Sequence, residues 1–237
     1  MKKLLLPALL SLLSMSAAHA HQVWIEQNGK TTTLQFGEFG DNLRETTPGL
    51  LDKFVKPSAT LIGKDGSRPL TLEKTTRGFV LSGSARPGES IVAVDADYPG
   101  WDSQKDGKTI HTIWVPAARF VTGFAAQQPV LAFDIVPTGK PGQFKVVYQG
   151  QPVAKAEVHA VIPNGWEKKA TSDAQGLVSF DLPWRGAYVL EAHHEDKTPG
   201  ERNGKHHDAA SFVTSLSFVQ EQGAEALPAG PAAAPNK

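Results

Sequence analysis

From residue 22 to about residue 219, short runs alternate apolar with polar side chains and are broken by Gly, Pro, Asp or Asn. A period of two places successive side chains on opposite faces of an extended strand, so this rhythm restricts the chain to an all-β fold. In "TTTLQFGEF", Leu34, Phe36 and Glu38 fall on one face. "SATLIGKDGSRPLTLEK" reads as two strands around Lys64-Asp65-Gly66-Ser67, a hairpin signal. "TTPGLLDKFVKP" predicts one short helix, with Thr47 as cap, Pro48 at the first helical position and Leu50, Leu51 and Phe54 inward.

After "VPTGKPG" the rhythm continues as about six strands with turns at Gly150, Asn164-Gly165 and Asp173-Ala174-Gln175-Gly176. The expected architecture is two β-sandwich halves of immunoglobulin or transthyretin type, residues 21–137 and 138–220, with the short helix in the first. Residues 221–237 are Ala/Pro-rich with almost no core-forming side chains and are expected to be disordered.

The first twenty residues read as a signal peptide. Lys2 and Lys3 precede the apolar "LLLPALLSLLSM", too short for a membrane span, and Ala18 and Ala20 form an A-x-A cleavage site. Cutting there leaves His21 first; a second possible cut, after Ala18, leaves His19 first. The mature protein is expected in the periplasm, soluble and without a direct membrane span. Lysine and arginine balance aspartate and glutamate at 24 each, and losing Lys2 and Lys3 tips the mature chain slightly acidic. That argues against nucleic acid or an anionic membrane surface as partner. With no cysteine, the chain has neither disulfides nor thiolate ligands, and stability must come from burial.

No G-x-S-x-G, P-loop, dinucleotide or H-E-x-x-H motif is present, and the expectation is that the protein is not an enzyme. Histidine carries the remaining chemistry, because neutral imidazole suits nickel, copper, zinc and iron. A mature N-terminal His21 adds its α-amine, which titrates near 7.7, so amine and ring Nδ1 can close a chelate. His111 lies on the face opposite Ile110 and Trp114, and its alternative is a solvent-facing strand residue. His193 and His194 point to opposite faces, and His194 is flanked by Glu195 and Asp196. His206 and His207 follow a polar loop; His159, mid-strand, reads as structural. Glu38, turned inward, needs Arg44, a backbone donor or a metal as partner. "DADYPGWD" reads as a surface turn.

The leader, "HQVWIE", "LQFGEFGDNLRETTPGLLDKF", "GQPVAKAEVHAVI", "TSDAQGLVSFDLPWRGAYVLEAHHE" and "SFVTSLSF" together resemble a bacterial family of uncharacterised periplasmic proteins, described as periplasmic components of nickel and cobalt uptake systems. The resemblance implies export, a two-part β-sandwich and a role in transition-metal uptake. It matches His21 to the histidine that opens the mature chain, and His194 to one at the end of the penultimate strand. Frequent proximity to outer-membrane metal or siderophore receptors makes iron an alternative cargo, and a membrane transporter or such a receptor the implied partner. Where some relatives carry a membrane segment, this chain has its Ala/Pro-rich tail.

The first expectation is therefore a periplasmic metal-binding protein with nickel or cobalt, or else copper or iron, held by His21 with His111, His194, His206 and His207 as candidate partners. The alternative is a metal-free adaptor or ligand-binding module, docking to a receptor or glycan through Trp101, Trp166 and Trp184. A third reading is a copper oxidase of the histidine-brace kind.

Overall fold

The computed structural model describes residues 21–236, and the expected signal peptide lies outside them. The fold is all-β. Among the described residues no helix is long and apolar enough to cross a membrane.

A ten-stranded sheet forms the frame. Its order runs from Glu167–Thr171 through Glu157–Val161, Trp184–Asp196, Ala209–Gln220, Lys108–Val121, Ser90–Val94 and Ser58–Gly63 to Gly66–Leu70. Strands from both expected halves therefore share one sheet. They meet where Thr112–Phe120 runs parallel to Ala209–Ser217. The expected hairpin is present, Gly63 opposite Gly66, and Pro69 sits on its edge strand, where a missing N–H costs no ladder bond.

Two smaller sheets cover opposite faces of this frame. Ser215 and Ser217 Oγ donate to the carbonyls of Val23 (2.5 Å) and Ile25 (2.6 Å), docking the Gln22–Asn28 strand on one face. That strand belongs to a five-stranded sheet with Thr31–Glu38, Gly78–Leu81, Leu72–Thr75 and Leu43–Arg44. Its Val23, Leu34 and Phe36 bury with Leu61, Ile91 and Ala118 of the frame. Alternation turns Leu216 and Phe218 to the other face, where they pack with Phe133, Phe144 and Val146 of a four-stranded sheet.

The second contact contains a buried ion pair. Arg119 and Asp134 are both fully buried. Arg119 Nη2 donates to Asp134 Oδ2 at 2.6 Å and Nε to Oδ1 at 3.0 Å; Oδ2 also accepts the Val130 N–H at 2.9 Å.

The expected helix is a single 3-10 turn, Leu50–Lys53. Gly49 precedes it at a backbone φ of 154°, outside helical space, so the turn cannot extend toward Pro48. Asp52, not Thr47, does the capping: its carboxylate accepts the Gly49 N–H (3.0 Å), the Thr47 hydroxyl (2.6 Å) and Lys74 Nζ (2.5 Å). These contacts, the Lys74 bond first, hold its pKa at about 2. Leu51 and Phe54 are buried as expected, while Leu50 is only partly covered.

The segment after Gln220, expected to be disordered, follows an extended path along the surface. Its carbonyls at Leu227 and Gly230 accept from Asn164 (3.2 Å) and Asn42 (2.8 Å).

Removing one member of a buried ion pair leaves the other charge uncompensated. Asp134→Ala should cost about 3–5 kcal/mol, read as a lower urea midpoint. A midpoint unchanged from the wild type would show that the pair does not join the sheets energetically.

Candidate functional site

Three neighbouring strands build a site around His21. Gln22 pairs with Gly37 and Glu38 with Leu43, which sets His21, Glu38 and Glu45 on one face at the end of the five-stranded sheet. The Glu45 N–H donates to Phe36 O at 2.8 Å and fixes this corner. His21 Nε2 donates to Glu45 Oε1 at 2.5 Å, and that carboxylate is fully buried. Nδ1 faces Glu38 Oε1 at 3.5 Å. The ring lies 5.1 Å from Phe36 and lines a pocket of about 300 Å³ with Tyr98, Trp101 and Trp114. The tail reaches the same corner, where Asn236 N–H donates to Glu45 Oε2 at 3.0 Å and its side-chain nitrogen donates to Oε1 at 2.7 Å.

Nε2 of His21 faces Glu45, with the Asn236 side-chain nitrogen 3.1 Å away, and Nδ1 faces Glu38, so each ring nitrogen is oriented by its own carboxylate. Arg44, one of the partners expected for Glu38, bonds Glu26 at 2.5 Å with its guanidinium over Trp24.

The other expected ligands are distributed elsewhere. His111 Nδ1 contacts Asp102 at 2.7 Å, and its backbone N–H donates to Asp208, whose other carboxylate oxygen lies 3.3 Å from His206. The polar loop before His206 contains a small hairpin, Gly200–Arg202 with Lys205–His207, which buries His207 and leaves its Nδ1 without a hydrogen-bond partner among the described residues. His194 faces the second core, 4.2 Å from Tyr148 and 5.4 Å from Phe133. His193, on the opposite face, lines the pocket with His21. Among the described residues, no group of three or more histidine, aspartate or glutamate side chains is arranged to hold a metal ion. Any site at His21 therefore needs a donor beyond side chains.

Two readings change with burial. Asp95, read as part of a surface turn, is buried, accepts N–H bonds from Val55 (2.9 Å) and Asp97 (3.0 Å), and has its pKa raised by desolvation. His159, read as structural, lies between Glu157 (2.7 Å) and Glu167 (2.6 Å) and lines a cleft of about 430 Å³ with Glu38, Glu191 and His193. The signal available in sequence was alternation: Glu157, His159 and Val161 share a face, and a charged face opposite a covered one marks an exposed groove.

Fold and site together define an all-β protein that presents its first described histidine among carboxylates, beside an aromatic pocket and an acidic cleft. The chain belongs to the family described as a domain of unknown function, DUF4198, whose model matches residues 18–196. No curated protein and no solved structure matches it.

Burial lowers the pKa of His194 below its ordinary 6.5, against an opposing pull from Asp196. The unfolded chain then takes up that proton first, so this residue's contribution to stability is present above pH 6.5 and lost as pH falls below it. His194→Gln should make the fall in Tm between pH 7 and 5 shallower than in the wild type. A steeper fall would reverse the assignment.

Proposed function

We propose that the protein is exported to the periplasm and binds a first-row transition-metal ion, nickel or cobalt first, at His21 as part of an uptake or handling system. In this reading each half is a β-sandwich of immunoglobulin or transthyretin type that shares the ten-stranded sheet. One observation carries the metal site: His21 donates one ring nitrogen to the buried Glu45 and aims the other at Glu38, 3.5 Å away. A carboxylate behind a ligating imidazole fixes its orientation and raises its basicity.

The donors fit such an ion. Two ligands about 2.0–2.2 Å from one ion stand about 3.4 Å apart at a tetrahedral angle and about 2.9 Å apart at a square-planar corner. The observed 3.5 Å lies near the first, so a square-planar nickel(II) or copper(II) would draw the two groups together by about 0.6 Å. Nδ1 and Glu38 supply two donors, and the α-amine freed by removal of residues 1–20 supplies a third. The ion itself would contribute Lewis acidity and charge; the protein contributes orientation, through Glu45, and a partly apolar wall of Phe36, Tyr98 and Trp114.

Calorimetric titration of the chain beginning at His21 with Ni(II), Co(II) or Cu(II) should give near one equivalent. A glycine added before His21 should weaken binding by about tenfold or more, and Glu45→Gln by about 10–100-fold. Because amine and imidazole must lose protons to bind, affinity should fall as pH drops from about 8 to about 5. Equal affinity with and without the added glycine would sink the chelate.

A further inference from the structure

The acidic cleft beside His21 is a second site of different chemistry. Its floor is one face of three adjacent strands, on which Glu191 pairs across to His159 and His159 to Lys169. Its far wall is the segment from Glu38 to Asp41, held close by Gly40, where a Cβ would come within 2.8 Å of Val161. Five carboxylates line it against one lysine, so the enclosed field favours a cation. Gln22 gives the independent sign of a ligand. It is 3 % exposed, it lines the cleft, and its Oε1 has no hydrogen-bond partner among the described residues. A buried acceptor without a donor is destabilising, and a ligand bearing N–H groups relieves it.

The carboxylates do not converge as metal ligands do. Same-face side chains repeat about every 6.6 Å along a strand and about 4.8 Å between strands, which spreads the charges over the floor. Amines separated by three or four methylenes span about 5–6 Å, a similar interval. Lys169 shows that an ammonium is accommodated here, with Nζ 3.8 Å from Glu157 and 3.6 Å from Glu167. Val161, in the same face, offers apolar surface to intervening methylenes. The volume lies in the range of small-molecule sites, roughly 300–1,000 Å³.

We propose that this cleft binds a linear polyamine, an organic di- or trication with ammonium groups three or four methylenes apart, and that it does so without requiring an ion at His21.

The chain beginning at His21 is titrated calorimetrically with putrescine and spermidine at constant ionic strength, in parallel with N-acetylated spermidine and Mg(II). Saturable binding of spermidine at one site is expected, weakened about tenfold or more by the Glu157→Gln/Glu191→Gln double variant and by acetylation. Lys169→Met, which removes the resident competitor and leaves every carboxylate in place, should tighten binding; it decides the matter if the double variant fails to fold. A glycine before His21 should leave spermidine affinity unchanged, which separates this site from the metal reading. The proposal is overturned if no saturable heat appears, if Lys169→Met does not tighten binding, if Mg(II) binds the cleft in preference, or if the added glycine abolishes polyamine binding.

Discussion

The parallel ladder between Lys108–Val121 and Ala209–Gln220 is the constraint on which the rest of the molecule depends. It closes only after the intervening chain has folded back, so its entropic cost falls early and its stabilisation arrives late. With no cysteine to cross-link the loop, hydrogen bonds and burial hold it shut. Each smaller sheet then rests on this ladder. Ser215 and Ser217 seat the first strand on one face, while Arg119, between them and Ser90, reaches Asp134 on the other.

The two polar corners use negative charge differently. At Glu45 a single carboxylate is buried completely, and among the described residues it is hydrogen-bonded to the His21 ring, the Asn236 backbone N–H and the Asn236 side-chain nitrogen. Burial of an ion tolerates little movement, so this corner holds one imidazole in one orientation. In the cleft the carboxylates lie on a half-open strand face, where water shares their solvation. That surface suits exchangeable cations. Glu38 belongs to both corners and electrostatically couples them.

Much of the fold was legible because it is local. Alternation located the strands, and Lys64-Asp65 located its hairpin, since both depend on neighbours a few residues away. His21 was legible as a candidate from its position alone. What connects distant segments was not legible: nothing near Thr112 or Ala209 announces that they lie side by side in parallel. The helix reading failed on Gly49, whose backbone angle a pattern of apolar residues does not reveal. The choice between His193 and His194 turned on a similar gap. Alternation says that they face apart, but both faces of this strand are covered at some point along its length, and only the packing of Tyr148 and Phe133 shows which histidine is enclosed. His159 was missed because a mid-strand histidine reads as structural until its neighbours Glu167 and Glu191, from two other strands, are placed beside it.

Since His193 and His194 are consecutive, their chemical identities are set by a counting rule. Displacing Trp184–Asp196 by one residue against Ala209–Gln220 would send His194 toward His21 and put His193 among the aromatic rings. A single-residue insertion or deletion upstream in that strand would therefore exchange a solvated imidazole for an enclosed one without altering either side chain. Homologues with such a length change would keep the same pair of letters while reversing which one is available to a ligand. Aligning relatives by that pair alone would then match residues that do different things.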